Sequence, residues 1–228
     1  MSKSIIAMLV MLVVLVAALL IPIMQMTRWD PKLKQGVARQ AGQEQAGAAI
    51  STEPSGDPQS VATLETADQL RQEFNADNGR LRMLAILSPT TQSSREAASL
   101  IEQVVLEEHP DLDLTVYVLW ITQTSKDDYE AAREASALLT DGRARHYFSS
   151  DAAASYVADA MGYPGDKAWN CIMLFGEDKV WDPELPQPQR ILHQLGPQHW
   201  LGSQNYATGN DLRNGLAAMA SELGGWQF

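Results

Sequence analysis

The sequence predicts a three-layer α/β domain behind an apolar amino-terminal segment, on three observations. Apolar runs of strand length at 81–87, 112–120, 143–148 and 169–175 alternate with stretches whose apolar residues recur every three or four positions, the pattern of a sheet covered by helices. The run 169–175 ends in Gly176-Glu-Asp and is followed by Lys179-Val-Trp181, which places a hairpin at the end of the sheet. Residues 5–24 carry no charge, so one apolar helix stands apart from the domain.

Twenty residues at about 1.5 Å each span roughly 30 Å as a helix, the hydrocarbon thickness of a bilayer. A cleaved signal peptide would have a shorter apolar core and a small-x-small cleavage site, and Ile21-Pro-Ile-Met-Gln-Met26 offers none. Residues 1–28 are therefore expected to be an uncleaved single-pass anchor, in contact with lipid through 5–26. Lys3 precedes the apolar run while Arg28, Lys32, Lys34 and Arg39 follow it, a balance that favours a cytoplasmic domain. From 29 to 62 the chain turns to Gln, Ala, Gly, Ser, Pro and Glu, the composition of a flexible or extended linker. The folded domain is expected over 63–228.

Within it, Leu70 and Phe74 lie four apart in a short helix at 67–75 that ends before Asn78-Gly79. After the strand 81–87, Ser93 or Ser94 can cap a helix running to about Glu108, with Ala98, Ile101, Val105 and Leu106 on one side and Pro110 closing it. The β-branched run within 112–120 reads as a buried strand. A helix from Ser125, boxed by Asp128, continues to Leu139. The strand 143–148 leads into a helix at 152–161, capped by Ser149 or Ser150 and ended by Gly162. Pro183, Pro186 and Pro188 make 182–189 an irregular loop. A last helix over 210–223 turns Leu212, Leu216 and Met219 inward.

The junction of Met83-Leu-Ala-Ile-Leu87 with Ser88-Pro-Thr-Thr-Gln-Ser-Ser-Arg95, and the later Ile172-Met-Leu-Phe-Gly176 with its hairpin, resemble the thioredoxin fold over about residues 80–224. The resemblance implies a thioredoxin-like sandwich with an extra helix and strand inserted, and it puts Thr91 and Ser94 at the two positions of the redox Cys-x-x-Cys pair. It also implies a cis-proline before the fourth strand, where this chain has Asn170. A hydroxyl cannot serve in thiol-disulfide exchange, which needs a thiolate and a sulfur leaving group. Thr91, Ser94 and Asn170 are thus vestigial redox-site positions, and no catalytic residue is nominated. Tethered domains of this family usually face the periplasm, so the resemblance assigns the soluble part there, on a bacterial inner membrane, against the Lys/Arg balance.

The lone Cys171 lies in an apolar run and is expected to be a small buried hydrophobe. The four histidines, His109, His146, His193 and His199, show no metal-ligand spacing. Asp127-Asp128 and Glu107-Glu108 read as solvated helix-end charges, since adjacent helical residues do not face each other. No phosphate loop, His-Glu-x-x-His or Gly-x-Ser-x-Gly occurs, and neither cofactor nor metal is expected. The chain carries 17 Lys plus Arg against 28 Asp plus Glu, a net charge of −11, which disfavours nucleic acid. Trp200, Trp226 and Phe228 join the three loop prolines as interface candidates, because aromatics outside regular elements are enriched at contacts.

These readings together favour a non-catalytic accessory or stabilising subunit of an integral membrane protein complex. A cleft-based binding module for metal, small ligand or peptide is the first alternative. An enzyme of unrecognised chemistry is the second.

Overall fold

The computed structural model describes residues 60–149, 159 and 169–224. The expected anchor, residues 29–59 of the expected linker, most of the helix at 152–161, and Trp226 and Phe228 lie outside the described residues. The linker's last residues are not irregular, since Val61 and Ala62 already belong to a strand, and the domain starts earlier than 63. No helix within them is long and apolar enough to cross a membrane.

The elements run β1 (Val61–Thr63), α1 (Ala67–Ala76), β2 (Leu81–Leu87), α2 (Gln92–Leu100), a π-helical continuation (Ile101–Glu107), β3 (Leu114–Ile121), α3 (Tyr129–Ser136), β4 (Ala144–Ser149), β5 (Cys171–Phe175), β6 (Arg190–His193), a 3-10 turn (Ser203–Asn205) and α4 (Gly209–Gly224). They build a six-stranded sheet of order β1-β4-β3-β2-β5-β6. The first four strands in that order are parallel, and β5 and β6 are antiparallel additions.

Every residue of β2 and β3 is buried, because central parallel strands are covered on both faces. On one face Met83, Ala85, Leu87, Val116, Val118 and Trp120 pack with Ile101, Val105, Leu212 and Leu216 from the α2–π segment and α4. On the other, Leu84, Ile86, Tyr117, Leu119 and Met173 pack with Leu70 and Phe74 of α1 and with Trp181, Leu185 and Leu201 of the long loop regions. The sheet is therefore the middle of three layers, as the sequence predicts. Gly215 brings α4 close to β6: a Cβ there would meet Leu192 Cδ1 at 3.0 Å.

Several elements depart from expectation, each for a visible reason. β1 has no counterpart in the sequence reading; three residues are too few for a pattern, and their place comes from pairing with His146, Tyr147 and Phe148. The helix after β2 is capped neither by Ser93 nor by Ser94, for Thr91 is its N-cap and Ser94 lies inside it. It then widens into the π segment, whose end is closed by Arg143: its guanidinium donates to the carbonyls of Leu106, His109 and Leu112 and pairs with Asp141. The next helix begins three residues late, with Asp128 rather than Ser125 as its N-cap; the Asp128 carboxylate accepts from Ala131 N at 2.8 Å.

Lys179-Val-Trp181 does not start the returning strand. The Asn75 side chain binds both backbone groups of Trp181, Oδ1 accepting from its N–H at 2.8 Å and Nδ2 donating to its carbonyl at 2.9 Å, and this replaces a strand partner. The antiparallel return comes only at Arg190, after the proline loop.

The run 81–87 also hides a charge. Arg82 is fully buried within β2, and its guanidinium donates to the carbonyls of Arg80, Phe74, Gly176 and Glu177 while lying 4.4 Å from the centre of the Phe74 ring. Four carbonyls and a ring replace water around it, joining the end of α1, the start of β2 and the turn after β5. Burial pulls its pKa below the ordinary arginine value, against the nearby Tyr117, Asp77 and Asp178.

Candidate functional site

The carboxyl end of β2 delivers Ser88 to Thr91 to the amino end of α2, and β5 begins beside it. Thr91 ends the loop with an extended backbone, and its Oγ1 is buried with no hydrogen-bond partner among the described residues. One turn on, Ser94 is fully buried. Its Oγ accepts from Ser88 N at 3.1 Å and donates to Asn170 Oδ1 at 3.2 Å. That hydroxyl already serves as donor and acceptor.

Asn170 is almost fully buried and has a φ of 50°, a left-handed conformation that Asn accepts more readily than most residues. Its Nδ2 donates to Ser93 Oγ at 3.2 Å, and its Oδ1 also accepts from Gln194 Nε2 at 3.2 Å. Gln194 Nε2 reaches Ser93 O at 3.0 Å as well. The structure thus brings two of the three predicted positions, Ser94 and Asn170, into direct contact and seals them with Gln194, which the sequence did not single out.

Asp127 corrects the sequence reading most sharply. Expected at a solvated helix end, it is only 5% exposed, because it turns under the Ser88–Thr91 loop. Ser88 Oγ donates to both its oxygens at 3.0 Å. Oδ1 further accepts from Thr90 N at 3.2 Å and Thr90 Oγ1 at 2.5 Å. Oδ2 accepts from Gln123 N at 2.8 Å and Thr124 N at 2.7 Å. Burial alone would push this carboxyl up, but the bonds from Thr90, Thr124, Gln123 and Ser88 outweigh it, so Asp127 titrates below the ordinary aspartate range. A carboxylate receiving this many donors holds two loops together and has little capacity left to take a proton from a substrate. Asp128, Glu107 and Glu108 are exposed as expected.

Cys171, fully buried on β5, has its thiol pushed up to about 12 by burial. A thiol so placed stays protonated at neutral pH and is inert. His146 is enclosed between Trp120 Nε1, which donates to its Nδ1 at 3.2 Å, and Leu139 O, which its Nε2 meets at 2.9 Å. Among the described residues no group of three or more potential ligands could hold a metal ion.

The interface candidates divide. Pro186, Pro188 and Trp200 line one groove of about 170 Å³ together with Leu185, Gln187, Ile191 and Leu201, and Trp200 is 41% exposed. Pro183 is exposed in the same loop but does not line the groove.

No protein-family model matches the sequence, and no curated protein does. Among solved structures, the chain is similar to a thioredoxin-like protein whose solution structure is of the oxidised form, with a TM-score of 0.39 at 14% identity, over 67% of this chain and 84% of that one. A likeness of that size carries no argument about the site.

Proposed function

We propose that this chain is a membrane-anchored, non-catalytic accessory subunit, built on a thioredoxin-like domain that has lost its redox chemistry, which stabilises an integral membrane protein complex. The observation that carries this reading is the state of the site. Hydroxyls stand where the family's thiols would be, Ser94 is committed to Ser88 and Asn170, and Asp127 is saturated by donors from two loops. Such a site favours rigidity over turnover. The charge-free run 5–24 supports the anchor, and the groove beside the proline loop supports a surface for contact.

The test is fractionation of cells expressing the tagged full chain, alone and with Thr91→Ala plus Ser94→Ala. The proposal expects both forms to resist extraction by alkaline carbonate and to bring down the same proteins after detergent solubilisation. Release of the chain by carbonate would refute the anchor. A phenotype of the double substitution with intact assembly would refute the non-catalytic reading and favour an enzyme.

A second reading rests on the groove itself: Trp200 and Leu201 facing Pro186 and Pro188 suit an extended apolar peptide, which would make the domain a binding module. It predicts peptide binding by a chain that purifies alone.

A further inference from the structure

Two histidines, one at the end of β6 and one in the segment that follows it, make the same local turn. His193 Nδ1 accepts the N–H of Leu195, two residues on, and His199 Nδ1 accepts the N–H of Leu201, again two residues on, both at 3.3 Å. Each bond as placed uses the Nδ1 lone pair, which the Nε2–H tautomer of a neutral imidazole leaves free to accept. His193 uses that proton at 3.0 Å from Gly202 O, closing the segment back on its own start. The two ring centres are 5.3 Å apart, and His193 also packs on Tyr206 and His199 on Trp200. Cys171 stands opposite His193 on β5, and Tyr206 packs on the His193 ring.

We propose that the segment from His193 to Tyr206 is a pH-responsive clasp that holds Trp200 and Leu201 against the groove while the His199 imidazole is neutral and lets them go when it takes up a proton. Protonation turns His199 Nδ1 from acceptor into donor, so it opposes the Leu201 N–H group it now receives. It also puts a positive charge on a ring 5.3 Å from that of the buried His193, where screening by water is reduced. Two of the seven residues lining the groove belong to this segment, so the groove exists in its described form only in the neutral state. Burial and the neighbouring His193 lower the pKa of His199, which puts the release on the acid side of the ordinary histidine range. This inference does not depend on the accessory-subunit reading.

The test is an NMR titration of the full chain in detergent micelles, from about pH 8 to pH 5, reading the imidazole resonances, the Leu195 and Leu201 amides and the Trp200 indole. The clasp predicts that the Leu201 amide and the Trp200 indole move with the His199 imidazole midpoint, and that Leu201 amide protection, corrected for intrinsic exchange, falls about tenfold, the scale of one lost hydrogen bond. In His199→Asn the side-chain carbonyl still accepts the Leu201 N–H but takes no proton, so the Leu201 and Trp200 signals should stay still. Fixed Leu201 and Trp200 signals while the His199 imidazole of the unaltered chain titrates would overturn the proposal. So would an acid response in His199→Asn equal to that of the unaltered chain. If the variant does not fold, the titration of the unaltered chain decides alone.

Discussion

Replacing Asp127 by Asn keeps the shape of the side chain and removes its charge, and the described contacts set the cost. With Nδ2 on the Oδ2 side, two backbone donors, Gln123 N and Thr124 N at 2.8 and 2.7 Å, face another donor. In the opposite orientation Nδ2 faces Thr90 N, while the Thr90 hydroxyl can rotate to accept from it. The second arrangement strands one buried N–H, at about 1–3 kcal/mol, and the remaining bonds lose the strengthening an ionised acceptor gives. The total is about 2–4 kcal/mol, a large part of the roughly 5–15 kcal/mol that holds a domain folded.

The substitution also acts on acid stability. Asp127 titrates below the ordinary aspartate range when folded, so its contribution is present above the unfolded pKa of about 4 and is lost as pH falls through the lower folded value. Urea unfolding at neutral pH should show the loss for Asp127→Asn, and repetition at falling pH should show a flatter acid limb. A midpoint shift worth less than about 0.5 kcal/mol, with the acid limb unchanged, would refute the assignment of Asp127 as the clamp between the two loops.

Three further predictions follow from the same contacts. Thr91→Val removes a buried hydroxyl with no partner among the described residues, so thermal unfolding should show it neutral or more stable by up to about 1 kcal/mol, whereas Ser94→Ala, which leaves Ser88 N and Asn170 Oδ1 short of a partner, should cost about 1–2 kcal/mol. Arg82→Ala should cost about 3–5 kcal/mol in urea, because it opens a cavity and takes one donor from each of four carbonyls, of which Gly176 O and Glu177 O keep the N–H of Lys179 and of Gly79; Arg82→Met, which refills the space alone, should recover part of that. Burial pushes the pKa of His146 down, outweighing its bond to Leu139, so its contribution is present above the unfolded value of about 6.5 and declines as pH falls through the lower folded value; His146→Gln should flatten the pH dependence of the melting temperature in that window.

The parts of the fold legible in the sequence are those that local pattern specifies. The buried strands β2 and β3 announce themselves as continuous apolar runs, and Leu212, Leu216 and Met219 mark the inner face of α4. The placing of Asn170 near Ser94 came from the resemblance to the thioredoxin fold, not from local pattern. What escaped depends on partners far along the chain. Asp127 looks like any helix-start acid until Ser88 and Thr90, 39 and 37 residues earlier, turn over it. Val180 and Trp181 have strand-forming side chains, yet Asn75 captures the Trp181 backbone from 106 residues away. Arg82 reads as an interruption of an apolar run, and two of the four carbonyls that make its burial tolerable, at 176 and 177, come from 94 and 95 residues further along.

The central claim is that the chain works as a non-catalytic member of a membrane assembly. The most direct measurement is the native mass and composition of what stays bound when the tagged full chain is extracted from its own membrane in mild detergent. The account predicts a high-mass complex in which the chain is stoichiometric with at least one integral membrane protein. Recovery of the chain alone, as a monomer in its micelle, would contradict it.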